Sequence, residues 1–121
     1  MNATEAFAAF VTRALTPTKA RRFAVLASSK KGQRRALDGL CHDFEPAVRD
    51  AAVCTKDYSR LWGKPCYAFH PRVGFGGEFS TVRDANDELA LDDGWLIVLQ
   101  DGSAGIHRPE ARWDDEKLIA G

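Results

Sequence analysis

Apolar residues in the first half of the chain recur with the period of a helix. Phe7, Phe10, Val11 and Ala14 fall at i, i+3, i+4 and i+7, one face of a 3.6-residue turn. Asn2 with Glu5 three residues on has the form of a capping box, so a helix is predicted over about residues 3–15. Thr16-Pro17 then restarts the chain, since Thr suits an N-cap and Pro the first helical position. A second helix over 17–27 would bury Ala20, Phe23 and Leu26 and turn Arg21 and Arg22 to water, although the run Phe23 to Ala27 also reads as a short strand. Ser28-Ser29 offers another cap for a third helix reaching about His42, with Leu37, Leu40, Cys41 and Phe44 inward. Gly32 and Gly39 in it would each cost about 1 kcal/mol relative to Ala. Thr55 is expected to cap a short helix carrying Tyr58, Leu61 and Trp62.

The second half has a different texture. Cys66 to His70 is aromatic and bounded by Pro65 and Pro71, which reads as a strand. Val73 to Phe79 mixes three glycines with bulky apolar residues and reads as a bent strand or an ordered loop. Thr81 and Asp84 signal a helix over 82–90, followed by a turn at Asp92-Asp93-Gly94. Trp95 to Gln100, Asp101-Gly102 and Ser103 to His107 form a hairpin pattern, expected to turn through a type I′ Asp-Gly pair. Its first arm is apolar on both faces, implying cover on both sides. Helices first and strands later predict an α+β fold in a single domain, 1–121: about three N-terminal helices layered on a small, mainly antiparallel sheet with a C-terminal hairpin at 95–107.

At 121 residues the chain is long enough to bury a core without staples. The longest apolar run, Trp95 to Leu99, is far short of a membrane span. Met1 to Phe10 lacks the basic start of a secretion signal, its first basic residue being Arg13. Three cysteines, an odd count, argue for reduced thiols and a cytoplasmic protein rather than a disulfide scaffold.

Charge changes the picture most. The formal net charge is zero, yet residues 1–72 hold thirteen Lys and Arg against six Asp and Glu, while residues 73–121 hold four against eleven. Lys19, Arg21, Arg22, Lys30, Lys31, Arg34 and Arg35 fall in a stretch without a single carboxylate. Such a segment is either a solvated helix exterior balanced by nearby acids or a face for an acidic partner.

Other candidate chemistry is sparse. Ser28 to Arg35 opens a helix with many donors, an arrangement suited to an anion, but the G-x-x-x-x-G-K-[ST] pattern of a phosphate-binding loop is absent. Joined by a tight turn, the second and third helices would make a helix-turn-helix with Arg34 and Arg35 toward a groove. Gly74 to Phe79 fails the dinucleotide spacing because position 79 is Phe79; its glycines instead suit positive φ or a bulge. Cys66 and His70, four apart on a strand, lie about 13 Å from each other and predict no metal site. His107 with Glu110 and an arginine, Arg108 or Arg112, could form an acid–base cluster of a small hydrolase or nuclease; equally, His107 suits a hydrogen-bonding position at a strand end. No G-x-S-x-G or other nucleophile motif accompanies them, and no cofactor signature is present.

The expectation is therefore a non-catalytic interaction or regulatory module that binds a protein partner through a charged face. Nucleic-acid binding through 19–35 is the first alternative, and a hydrolase using His107 and Glu110 the second. Trp95 reads as core, whereas Trp62 and Trp113 could line a homodimer contact.

Overall fold

The computed structural model describes residues 1–42, 44, 47–49, 53–55, 57–109 and 117–120. Helix α1 runs Ala3–Ala14 and opens on the expected capping box: Asn2 Oδ1 accepts from the Glu5 amide at 2.8 Å, and Glu5 Oε1 accepts from the Asn2 amide at 3.0 Å. Phe7, Phe10, Val11 and Ala14 are all fully buried. Helix α2, Pro17–Leu26, settles the ambiguity at 23–27 in favour of helix. Ala20 and Phe23 are buried as expected, while Leu26 is only half-buried.

Helix α3, Lys30–His42, starts after a three-residue connection. Ser29 Oγ accepts from the Gly32 amide at 3.0 Å, capping the helix, and the Gln33 side chain donates to the Ala27 carbonyl at 3.0 Å. Gly32 is a requirement here rather than a weakness. A methyl group on it would collide with the carbonyl group of Leu26, so α2 and α3 approach this closely only because the side chain is absent.

The strands are β1 Val53–Thr55, β2 Cys66–His70, β3 Gly74–Phe79, β4 Trp95–Leu99, β5 Ala104–Arg108 and β6 Lys117–Ala120, with helix α4, Val82–Leu89, between β3 and β4. They form one six-stranded sheet in the order β1-β6-β5-β4-β2-β3, every neighbouring pair antiparallel. Strand β4 is buried on both faces. Leu96 and Val98 meet the layer of α1, α2 and α3, whereas Trp95, Ile97 and Leu99 meet α4 and the Tyr58–Trp62 turn on the opposite face. The fold is α+β with its N-terminal helices on the sheet, as the sequence predicts, plus a smaller cover on the reverse side.

Strand β3 is the bent strand of the two alternatives. Its register with β2 shifts between Ala68 and Phe69, leaving Gly76 as the extra residue at φ 91° and pressed against Ala3 of α1. Phe75 beside it packs on Phe7 and Phe69 at ring-centroid distances of 4.9 and 4.8 Å.

Two local expectations are corrected. The hairpin does not use a two-residue type I′ turn: Leu99 and Ala104 are separated by four residues, and the Gly102 amide donates to the Leu99 carbonyl at 2.8 Å. Asp101 Oδ1 holds the loop by accepting from the Ser103 amide and hydroxyl. Gly102, at φ 72°, lies so close to α1 that a Cβ would sit 2.8 Å from that of Ala9, so helix packing, not dipeptide preference, selects this turn. Thr55 belongs to strand β1 rather than standing at a helix start, and the 3-10 turn Ser59–Leu61 opens on Asp57, which accepts from Ser59. Strands β1 and β6 themselves were not anticipated.

Candidate binding face

The α2–α3 hairpin carries all seven cations of the acid-free segment. Burial of Ala20 and Phe23 on one helix and of Ala36, Leu37 and Leu40 on the other fixes their rotation. Arg21, Arg22, Lys30, Lys31, Arg34 and Arg35 are consequently exposed, and Lys19 is half-exposed. Among the described residues none of the seven joins an ion pair. A contrast lies elsewhere on the molecule: the Arg72 guanidinium meets Glu88 Oε1 at 2.8 Å and Asp92 Oδ2 at 2.6 Å, which raises its pKa through those two hydrogen bonds. Two of the second half's carboxylates, Glu88 and Asp92, thus serve Arg72, on the α4 side of the sheet, and among the described residues none pairs with the basic helices.

Between the first turns of α3 and the β2–β3 turn lies an open groove of about 610 Å³. One wall is Lys30, Arg34 and Asp38, at successive positions four apart on α3; Leu37 lies beside them, and Pro71 and Phe75 form the opposite wall. Lys30 and Arg34 were singled out in the sequence as an anion site. Pro71 and Phe75 were not, because nothing local in 71–75 announces that the turn will stand beside α3. Thr81, by contrast, caps α4 as anticipated, accepting from the Asp84 amide at 3.1 Å.

The acid–base candidates are placed differently. His107 on β5 is 3% exposed, its ring 4.6 Å from that of Phe44, and its Nε2 donates to the Leu40 carbonyl at 2.9 Å. This is the strand-end hydrogen-bonding position the sequence also allowed, and it ties β5 to the end of α3. Glu110, Arg112 and Trp113 lie outside the described residues. Arg108 points to the opposite face of the sheet: it donates to the carbonyls of Ala90 at 2.8 Å and Asp92 at 3.2 Å and lies 5.2 Å from the centroid of the Trp95 ring. Burial lowers its pKa.

Cys66 is a buried free thiol whose sulfur donates toward the Thr81 carbonyl. Burial first, and the charge of Asp84 second, push its pKa up to about 12, which makes it a poor nucleophile and a poor metal ligand at neutral pH. His70, on the same strand, accepts through Nδ1 from the Arg72 amide. The side chains of Cys41 and Cys54 lie outside the description. Trp95 is core as expected, and Trp62 is half-buried edge-on to Tyr58. Among the described residues no helix is long and apolar enough to cross a membrane. No protein-family model, curated protein or solved structure matches the chain.

Proposed function

We propose that this chain is a non-catalytic binding module, acting in the cytoplasm, whose protein partner presents an acidic surface to the α2–α3 face. The observation that carries this reading is the set of seven outward cations without a carboxylate partner among the described residues. A solvated helix exterior normally mixes both signs, and local pairs neutralise it within a screening length of ~8 Å at physiological salt. A patch with so large an excess of positive charge steers acidic partners into encounter and sets the salt dependence of binding. The test is affinity of the protein for an acidic probe, a fluorescein-labelled Glu-rich peptide, between 20 and 300 mM NaCl. Affinity should fall steeply with salt, and the combined Lys30→Ala and Arg34→Ala variant should bind at least tenfold more weakly. Salt-independent binding would count against the reading.

A second reading is favoured by one feature: a three-residue connection joins α2 to α3, the connectivity a helix-turn-helix requires, with Lys30, Lys31, Arg34 and Arg35 exposed on the second helix. On that reading duplex DNA binds with log K falling linearly in log salt, at a slope of roughly −0.9 per phosphate contacted. Replacing Arg34 and Arg35 with Ala would then shallow the slope.

A further inference from the structure

We propose that the groove between α3 and the β2–β3 turn holds an extended peptide segment of the pattern acidic–aromatic–acidic–any–basic. The proposal rests on the reading of α2–α3 as a docking face for an acidic protein, and it names the part of that protein that is gripped.

The geometry of the two walls sets the pattern. Lys30, Arg34 and Asp38 succeed one another every four residues along α3, so neighbours in that row are about 6 Å apart along the helix axis. An extended peptide repeats one side every two residues, about 6.6 Å. The two spacings match. Residues i and i+2 of such a peptide face Lys30 and Arg34 and are acidic; residue i+4 faces Asp38 and is basic. Residue i+1 points the other way, toward Pro71 and the half-buried ring of Phe75, where an aromatic side chain finds apolar cover. A nucleic-acid backbone suits the groove less well: its regularly repeated phosphates would bring a negative charge against Asp38.

Three labelled pentapeptides test this: Glu-Phe-Glu-Ser-Lys, Glu-Ser-Glu-Ser-Lys and Glu-Phe-Glu-Ser-Glu, titrated against the intact protein by fluorescence anisotropy at 50 mM NaCl. The first should bind about tenfold more tightly than the second, the difference expected for covering an aromatic side chain. The third should bind at least threefold more weakly than the first, and Asp38→Asn should abolish that penalty. Asp38 is exposed and makes no ion pair among the described residues, so this variant leaves the fold intact. In ¹⁵N-resolved spectra the first peptide should shift the amides of Gly74 and Phe75, which also reports that each variant is folded. Equal binding of all three peptides, lost in the combined Lys30→Ala and Arg34→Ala variant, would overturn the groove inference while leaving the acidic-partner reading in place. Binding that ignores Lys30 and Arg34 would overturn both. A 20-base-pair duplex that displaces every peptide would overturn both in favour of nucleic-acid recognition.

Discussion

At Gly32 two physical effects of opposite sign meet, and their magnitudes decide the outcome. Ala in an exposed helix interior is favoured over Gly by about 1 kcal/mol. Here the added methyl would overlap the Leu26 carbonyl oxygen, and relieving such overlap costs about 1–3 kcal/mol through displaced backbone. Gly32→Ala should therefore lower stability, by up to about 2 kcal/mol in urea unfolding, whereas Gly63→Ala, with open space around it, should change it by less than ~0.5 kcal/mol. Cys66 supplies a second case at this scale. Its ordinary pKa of 9.0 is raised to about 12, chiefly by burial, so the folded state favours the neutral thiol. That contribution is whole below pH 9 and is lost as pH rises from 9 toward 12, at no more than ~1.4 kcal/mol per pH unit. Urea midpoints at pH 8 to 11 should fall less steeply for Cys66→Ala than for the parent chain; parallel slopes would refute the assignment.

Elements are held to one another by contacts of very different worth. Arg72 and Arg108 both bind the end of α4 and the turn after it, Arg72 through Glu88 and Asp92 and Arg108 through the carbonyls of Ala90 and Asp92. Arg72 works in water, 45% exposed, and exposed pairs contribute about 0–1 kcal/mol each. Arg108 is 8% exposed and stacks on Trp95, so its hydrogen bonds cannot be replaced by solvent. Arg108→Ala should cost about 2–3 kcal/mol and Arg72→Ala under ~1 kcal/mol, in the same urea assay. Arg108→Lys should recover less than half of the loss, since an ammonium neither forks nor stacks in this way. This difference between the two arginines is invisible in the sequence, where both are basic residues near a proline. Elements with local signatures were legible: Asn2 and Glu5 announce α1, Thr81 and Asp84 announce α4, and the unbroken apolar run of β4 announces cover on two sides. What depends on distant neighbours was not. Strands β1 and β6 are three and four residues long and find each other across more than sixty positions. The groove likewise joins α3 to a turn more than thirty positions away, at Pro71 to Phe75; the sequence exposed its cations but not its opposite wall.

Seen across the whole molecule, the basic face carries a cost in stability that an opposite choice of charge would remove. Lys30 and Lys31 occupy the first turn of α3, which contains no acidic residue, where the positive end of the helix dipole disfavours cations by about 0.3–1 kcal/mol each. Lys30 with Arg34 and Lys31 with Arg35 are like-charged pairs four apart, each unfavourable by about 0.2–0.5 kcal/mol. Broken local preferences gathered on one surface are the mark of a surface serving something other than folding. Lys31→Glu tests this directly. It places a carboxylate at the helix start and turns the repulsion with Arg35 into the favourable orientation of an ion pair. Stability should rise by about 1 kcal/mol at 20 mM NaCl, with the gain shrinking at 500 mM as salt screens both contributions. Affinity for the Glu-rich peptide should fall in the same variant, because the face has lost two units of positive charge. A gain in stability without any loss of binding would mean that the acidic partner docks elsewhere, and a loss of both would mean that Lys31 has a structural role that its exposed position does not show.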